Sequence, residues 1–204
     1  EVVISSGSIE RPLVFGNNDA PGVMLSSAAK EYLKVYGVLV GKKPIIFTNN
    51  DSGYETAIEF KKNGIDPVVL DTRISPDSEI INEAKNLNIN IKNSYVVVAA
   101  KGYKKVKSAD IAKISDDKKK LSKIENIECD CICVSGFWTP SIHLASQSGN
   151  KTKFNEQIDS FVPNKSKQKE TTIGSASGIF TLEETLKTSF EKGNELSKQL
   201  TNND

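Results

Sequence analysis

One stretch, residues 43–73 with the sequence KPIIFTNNDSGYETAIEFKKNGIDPVVLDTR, limits most tightly what this chain can fold into. Positions 44–47 form a short apolar strand, and a polar turn at 48–53 follows in which Asn49, Asn50, Asp51 and Ser52 can each cap a helix. The spacing predicts that helix over 54–63, with Ala57, Ile58 and Phe60 on its inner side and Gly64 as the stop, because the position after a helix end usually needs φ > 0. A second strand over 67–70 runs into Asp71, 22 residues after Asn49. At that distance a dinucleotide-binding β-α-β unit places a carboxylate against a ribose.

The unit is read as a Rossmann-like half, so the chain is α/β, but its phosphate loop is degenerate. A loop of the form G-x-G-x-x-G lets the backbone approach a pyrophosphate closely; here the turn reads TNNDSGY, Gly53 is its only glycine, and Asp51 would repel a phosphate. Twenty-seven basic against 26 acidic residues give a net charge of +1, so no global field points to nucleic acid or to an anionic membrane. No apolar run approaches the ~20 residues that span a bilayer, and no signal-peptide pattern is present, so a soluble, cytoplasmic protein is expected. The opening Glu1-Val2-Val3-Ile4 reads as a strand already under way, as in a piece of a longer protein.

Elsewhere, apolar spacing predicts a helix over 23–36 ended by Gly37, and a helix capped by Ser75 with Pro76 at its first position. A buried strand is expected over 95–101, then two exposed strands within 104–128 joined near Asp116-Asp117-Lys118. In CDCICV a strand would aim Cys129, Cys131 and Cys133 at one face. C-x-C-x-C lacks the usual zinc spacing and a fourth ligand, so small buried side chains account for it better than a metal. His143, the lone histidine, has no Cys, Ser or carboxylate motif beside it to make a dyad. A polar loop is expected over 164–172. A final helix from Thr181 to about Leu200 opens with a capping box, Thr181 with Glu184. The small residues before it, Gly174-Ser175-Ala176-Ser177-Gly178, suit either backbone N–H groups meeting a phosphate or a tight packing turn, and the residues alone leave both open.

Three strings, SGSIERPLVFGNNDAPGVMLSSAAKEYLKVYGVLVGKKPIIFTNND, VSGFWTPSIHLASQSG and GSASGIFTLEETL, together resemble the middle of the α subunit of heterotetrameric sarcosine oxidase. That resemblance implies a FAD/NAD(P)-binding fold related to flavoprotein disulfide reductases. Residues 40–131 would be an inserted inner domain, and 1–39 with 132–204 part of an outer dinucleotide-binding domain whose first glycine loop would lie upstream of Glu1. It implies NAD in the outer domain, with contacts on Ser6, Gly7, Gly174, Ser175, Ala176, Phe180 and Leu182. It further implies a β subunit as partner, carrying FAD, with a covalent FMN between the subunits. The reaction implied is oxidative demethylation of sarcosine to glycine, with the one-carbon unit passed to tetrahydrofolate. Amine oxidation would belong to the β subunit, so no catalytic residue is expected in this chain. Phe137 stands where the resembling sequences carry a small residue, and Ser175-Ala176-Ser177 departs from a more alanine-rich turn. A non-catalytic scaffold docking a partner through Trp138 and RPLVFGNNDAPG, and a stand-alone NAD-dependent oxidoreductase using Asp71, are the alternative readings.

Overall fold

The computed structural model describes residues 1–201. In chain order its elements are β1 (Val2–Ile4), β2 (Ser8–Glu10), β3 (Val23–Leu25), α1 (Ser26–Tyr36), β4 (Pro44–Thr48), α2 (Ser52–Lys62), β5 (Val68–Asp71), α3 (Glu79–Asn86), β6 (Asn90–Asn93), β7 (Tyr95–Lys101), β8 (Ser108–Lys113) and β9 (Glu125–Glu128). They continue with β10 (Cys131–Ser135), β11 (Trp138–Pro140), α4 (His143–Gln147), β12 (Thr152–Asn155), β13 (Ser160–Pro163), β14 (Glu170–Thr172), a 3₁₀ turn (Gly174–Ser177) and α5 (Leu182–Thr201). The chain divides into two compact units, Glu1–Ile9 with Trp138–Asp204 (unit 1) and Glu10–Phe137 (unit 2). The expected inner domain, 40–131, lies inside unit 2.

Unit 2 is three layers deep. Its middle is a five-stranded parallel sheet in the order β3-β10-β4-β5-β6. Because side chains alternate across a strand, each strand feeds two cores. Ile45, Phe47, Leu70, Ile132 and Val134 pack with Val97, Val106 and Ile111 from the antiparallel sheet β7-β8-β9. Ile46, Val69, Cys131 and Cys133 pack with Ala29, Tyr54, Ala57, Phe60, Ile81 and Ala84 of the helices. A parallel sheet covered on both faces is what near-continuous apolar strands require.

Five local expectations change. Residues 23–25 are a strand instead of the first turn of α1, because Val23, Met24 and Leu25 find parallel partners in Ile132, Cys133 and Val134. Helix α3 starts at Glu79 after Ser78, which takes an extended conformation with φ −163°, instead of after Ser75. Strand β8 buries Ala109, Ile111 and Ala112, so it is core and not an exposed strand. Cys131 and Cys133 share a face with their sulfurs 3.6 Å apart, whereas Cys129 precedes the strand and joins the opposite core. The polar segment 164–172 also ends in β14, which pairs in parallel with β1.

Unit 1 is built on less buried apolar surface. Among the described residues its buried hydrophobic side chains are Ile4, Ala145, Val162 and Ala176, and α5 buries none of its described side chains. Three two-stranded pairings carry it: β1 with β14, β2 with β11, and β12 with β13.

Candidate functional site

An open α/β sheet binds ligands beyond the carboxyl ends of its strands, where the turns into the helices gather. Each unit has such an edge, and the two are arranged differently.

In unit 2, β4 ends at Thr48 between Asp71 of β5 and Ser135 of β10. The protein's own groups fill the turn after β4, while Asn93 Oδ1, beside Asp71 at the end of β6, is buried with no hydrogen-bond partner among the described residues. Asn50 is buried, and its Nδ2 donates to the Ser135 carbonyl at 3.1 Å and to Ser135 Oγ at 3.2 Å. Its Oδ1 accepts from Ser52 N at 2.9 Å and from Ser52 Oγ at 2.5 Å. Thr48 Oγ1 accepts from Asn50 N at 3.1 Å and donates to the Asn50 carbonyl at 2.8 Å. Gly53, the glycine left in the loop, lies against Thr48, whose Cβ would be 2.6 Å from a Cβ added there. Its smallness serves helix-to-strand packing and leaves no cradle for a phosphate.

Asp71 is fully buried at the end of β5. It accepts hydrogen bonds from Tyr54 Oη (2.8 Å), Arg73 N (2.9 Å), Arg73 Nε (3.1 Å) and Arg73 Nη2 (2.8 Å). The remaining arm of the guanidinium, Nη1, donates to Asp51 Oδ1 at 2.8 Å. Burial, and then the charge of Asp71, push the Tyr54 phenol well above its ordinary pKa, so it stays a donor. Burial opposes the charge on Arg73, but its hydrogen bonds to Asp71 and Asp51 outweigh that and hold the guanidinium protonated. The carboxylate expected at a ribose is therefore committed to an internal ion pair, and the groups present do not fit a dinucleotide in unit 2. Sequence reasoning missed this network; the signal for it was Arg73, two residues beyond the carboxylate.

In unit 1 the two sequence-predicted segments leave the same edge. Strands β1 and β14 are parallel, Ile4 lies beside Thr172, and Ile173 N donates to the Ile4 carbonyl at 2.9 Å. Ser6 and Gly7 follow β1, while Gly174, Ser175 and Ala176 follow β14. Ser6 Oγ donates to the Ser141 carbonyl at 2.7 Å, and Ser141 N donates to the Gly7 carbonyl at 3.0 Å. Gly7 (φ 76°) and Gly174 (φ 65°) both occupy the left-handed region that favours glycine, and the space where a Cβ of Gly7 would sit is open. Gly174 and Ala176 are buried, and Ser177 Oγ donates to the Gly174 carbonyl at 2.7 Å. The last hydroxyl of β14, Thr172 Oγ1, is buried with no hydrogen-bond partner. Phe180 is half-buried, whereas Leu182, the first residue of α5, is 75% exposed. Thr181 and Glu184 form the capping box, with Thr181 Oγ1 donating to Glu184 Oε2 at 2.8 Å and accepting from Glu184 N at 3.3 Å. Open space over a left-handed glycine at a parallel-strand edge fits a ligand that approaches the backbone.

Away from these edges, His143 is exposed at the start of α4. Trp138 is half-buried in β11, and Phe137 before it has φ 78°, a backbone that a glycine would adopt at lower cost. Among the described residues no cluster of three or more His, Cys, Asp or Glu side chains is placed to hold a metal, and no helix is long and apolar enough to cross a membrane.

No family model matches the chain. It is 31% identical over 182 residues, 88% of its length, to the sarcosine oxidase subunit alpha of Corynebacterium sp. (strain P-1), and 33% identical over 163 residues, 79% of its length, to that of Rhizobium meliloti (strain 1021). Most of this chain is homologous to part of a sarcosine oxidase α subunit. It spans only 19% and 15% of the length of those two relatives. Among solved structures, the thioredoxin reductase of T. acidophilum superposes with a TM-score of 0.67 at 16% identity, over 86% of this chain and 57% of that one. The α-subunit homologue thus has the α/β fold of the thioredoxin-reductase-like proteins.

Proposed function

We propose that the chain serves as the part of a sarcosine-oxidase-type α subunit in which unit 1 contributes to an NAD site and unit 2 is an assembly module that binds no nucleotide. The observation that carries the reading is the parallel pairing of β1 with β14, which sets Ser6-Gly7 and Gly174-Ser175-Ala176 on one strand edge. Gly7 and Gly174 would let the backbone approach a pyrophosphate, Ser175 would offer a hydroxyl donor, Ser6 would hold the turn through its bond to the Ser141 carbonyl, and Phe180 with Leu182 would supply apolar contact at the start of α5. NAD, when bound, supplies a nicotinamide ring able to accept a hydride. On this reading residues 40–131 belong to an inner domain, 1–39 with 132–204 to an outer one, and a further glycine loop completes the outer site. The homology to α subunits supports partner subunits; on this reading one is a β subunit, with FAD and FMN held outside this chain. The reaction this reading assigns to the whole complex is sarcosine demethylation with one-carbon transfer to tetrahydrofolate, in the cytoplasm. The stand-alone alternative needs a free Asp71, whose oxygens are already engaged.

Calorimetric titration of NAD into the chain tests this. Ser175→Glu, which sets a carboxylate in the turn, is expected to weaken binding at least tenfold, while Asp51→Asn leaves it unchanged. The opposite ranking contradicts the reading. NAD retained stoichiometrically by the chain through purification contradicts the requirement for a further glycine loop.

A further inference from the structure

Helix α1 is packed in the reverse of the usual sense. A surface helix turns its large apolar side chains inward, yet the residues that α1 buries are the small ones, Ser26 and Ala29. Apart from Leu33, its large apolar residues face out: Tyr32 is 46% exposed, Val35 66% and Tyr36 65%, and the turn beyond adds Val38 at 48% and Leu39 at 38%. Scattered exposed hydrophobics are ordinary, but a contiguous run of aromatic and branched residues marks an interaction surface. Unit 2 already has two closed cores, and Leu33 and Val40, from the same segment, complete one of them. The exposed set is therefore surplus to the unit's own packing.

The patch is also held in shape. Gly37, at φ 64°, donates its N–H to the Leu33 carbonyl at 3.1 Å, and Val38 N donates to the Tyr32 carbonyl at 2.9 Å. This doubly bonded helix end fixes Val38 against the last turn, so docking would order little new backbone. The rings of Tyr32 and Tyr36 lie 6.0 Å apart, and with Ala28 and Glu31 they line a groove of about 430 Å³. Lys34 within α1 and Lys42, three residues beyond Leu39 with its N–H on Asp130 Oδ2 (2.8 Å), are exposed and have no ion pair among the described residues, whereas Lys30 is paired with Glu55. Tyrosines at the centre and charge at the rim are the composition of a protein interface. An anionic lipid surface fits less well, because Glu31 lies in the groove itself.

We propose that Tyr32, Val35, Tyr36, Val38 and Leu39 form the face of unit 2 that docks a partner subunit, one presenting apolar anchors between carboxylates that meet Lys34 and Lys42. The proposal rests on the reading that this α-subunit homologue works with a β subunit, and the test separates the two. The chain is mixed with the purified β subunit of the Corynebacterium sp. (strain P-1) oxidase, and affinity is read by biolayer interferometry and the footprint by hydrogen exchange. Protection over 32–39 is expected. The triple change Tyr32→Ser, Val35→Ser, Tyr36→Ser should weaken binding at least tenfold with unfolding temperature unchanged, while Tyr36→Phe stays within twofold. Lys34→Glu with Lys42→Glu should cost severalfold, more at low salt. Binding with protection elsewhere, indifferent to the triple change, overturns the docking face and leaves the partner reading standing. Absence of binding overturns both. Self-association of the chain that the triple change abolishes assigns the face to a second copy instead.

Discussion

The two strand edges of this molecule show opposite solutions to one problem, what to do with polar turns at the carboxyl ends of parallel strands. In unit 2 the turn satisfies itself: Asn50 bridges to Ser135, Arg73 joins Asp71 to Asp51, and the helix closes on Thr48. In unit 1 the corresponding edge keeps open space at Gly7; each edge also holds one buried polar atom without a partner among the described residues, Thr172 Oγ1 in unit 1 and Asn93 Oδ1 in unit 2. A β-α-β unit therefore is not by itself a nucleotide site; what decides is whether the donors and acceptors in its turn are already paired. The contrast extends to packing, since the closed edge sits over two cores and the open one over little buried apolar surface.

The comparison breaks first at Arg73. Arg73→Ala would leave Asp71 buried without its counter-charge, and should cost about 3–5 kcal/mol in chemical denaturation while NAD affinity stays within twofold. If Asp71 served a ribose instead, Asp71→Asn would weaken NAD tenfold or more. Gly53→Ala comes next. Its methyl would press on Thr48, and overpacking of about 1–3 kcal/mol is expected, again with no effect on NAD; tighter nucleotide binding would show that the loop is not closed.

The alkaline limb of stability follows from three buried groups of unit 2. Burial pushes the Cys129 thiol up to about 12 from its ordinary 9.0 and raises the Tyr54 phenol above its ordinary 10.0, while the hydrogen bond with Cys131, and then burial, raise the Cys133 thiol. All three protons are held longer in the folded than in the unfolded chain, so stability is fully present below pH ~9 and falls as pH rises through the unfolded-state values. Denaturation midpoints measured from pH 8 to 11 should decline, with the onset moved toward pH 10 only when Cys129 and Cys133 are both changed to Ala. A flat profile would mean that the three groups are not shielded. The smallest effect belongs to unit 1: Thr181→Ala removes the cap of α5, worth about 1 kcal/mol, and should speed hydrogen exchange in its first turn only.

Much of unit 2 was legible in the sequence because its signals are local. The strand at 44–47, the helix closed before Gly64 and the carboxylate at 71 all stand where spacing puts them. What was illegible depends on partners far along the chain. Residues 23–25 carry helical periodicity but become a strand once Ile132, Cys133 and Val134 lie beside them. Asn50 looked like one of several equivalent caps until Ser135, 85 residues on, claimed it. The capping box at Thr181 was readable from four residues. The adjacency of Ser6-Gly7 to Gly174 was not, since it depends on β1 pairing with β14 across most of the chain.

Hydrogen exchange of the chain without NAD and with NAD in large excess, enough to populate the weak site expected in the absence of the further glycine loop, tests the central claim most directly, because it reads both edges in one sample. The account predicts slowed exchange over 5–8 and 173–182 and no change over 48–53 or 71–73. Protection at 48–53, with none at 173–182, would contradict it.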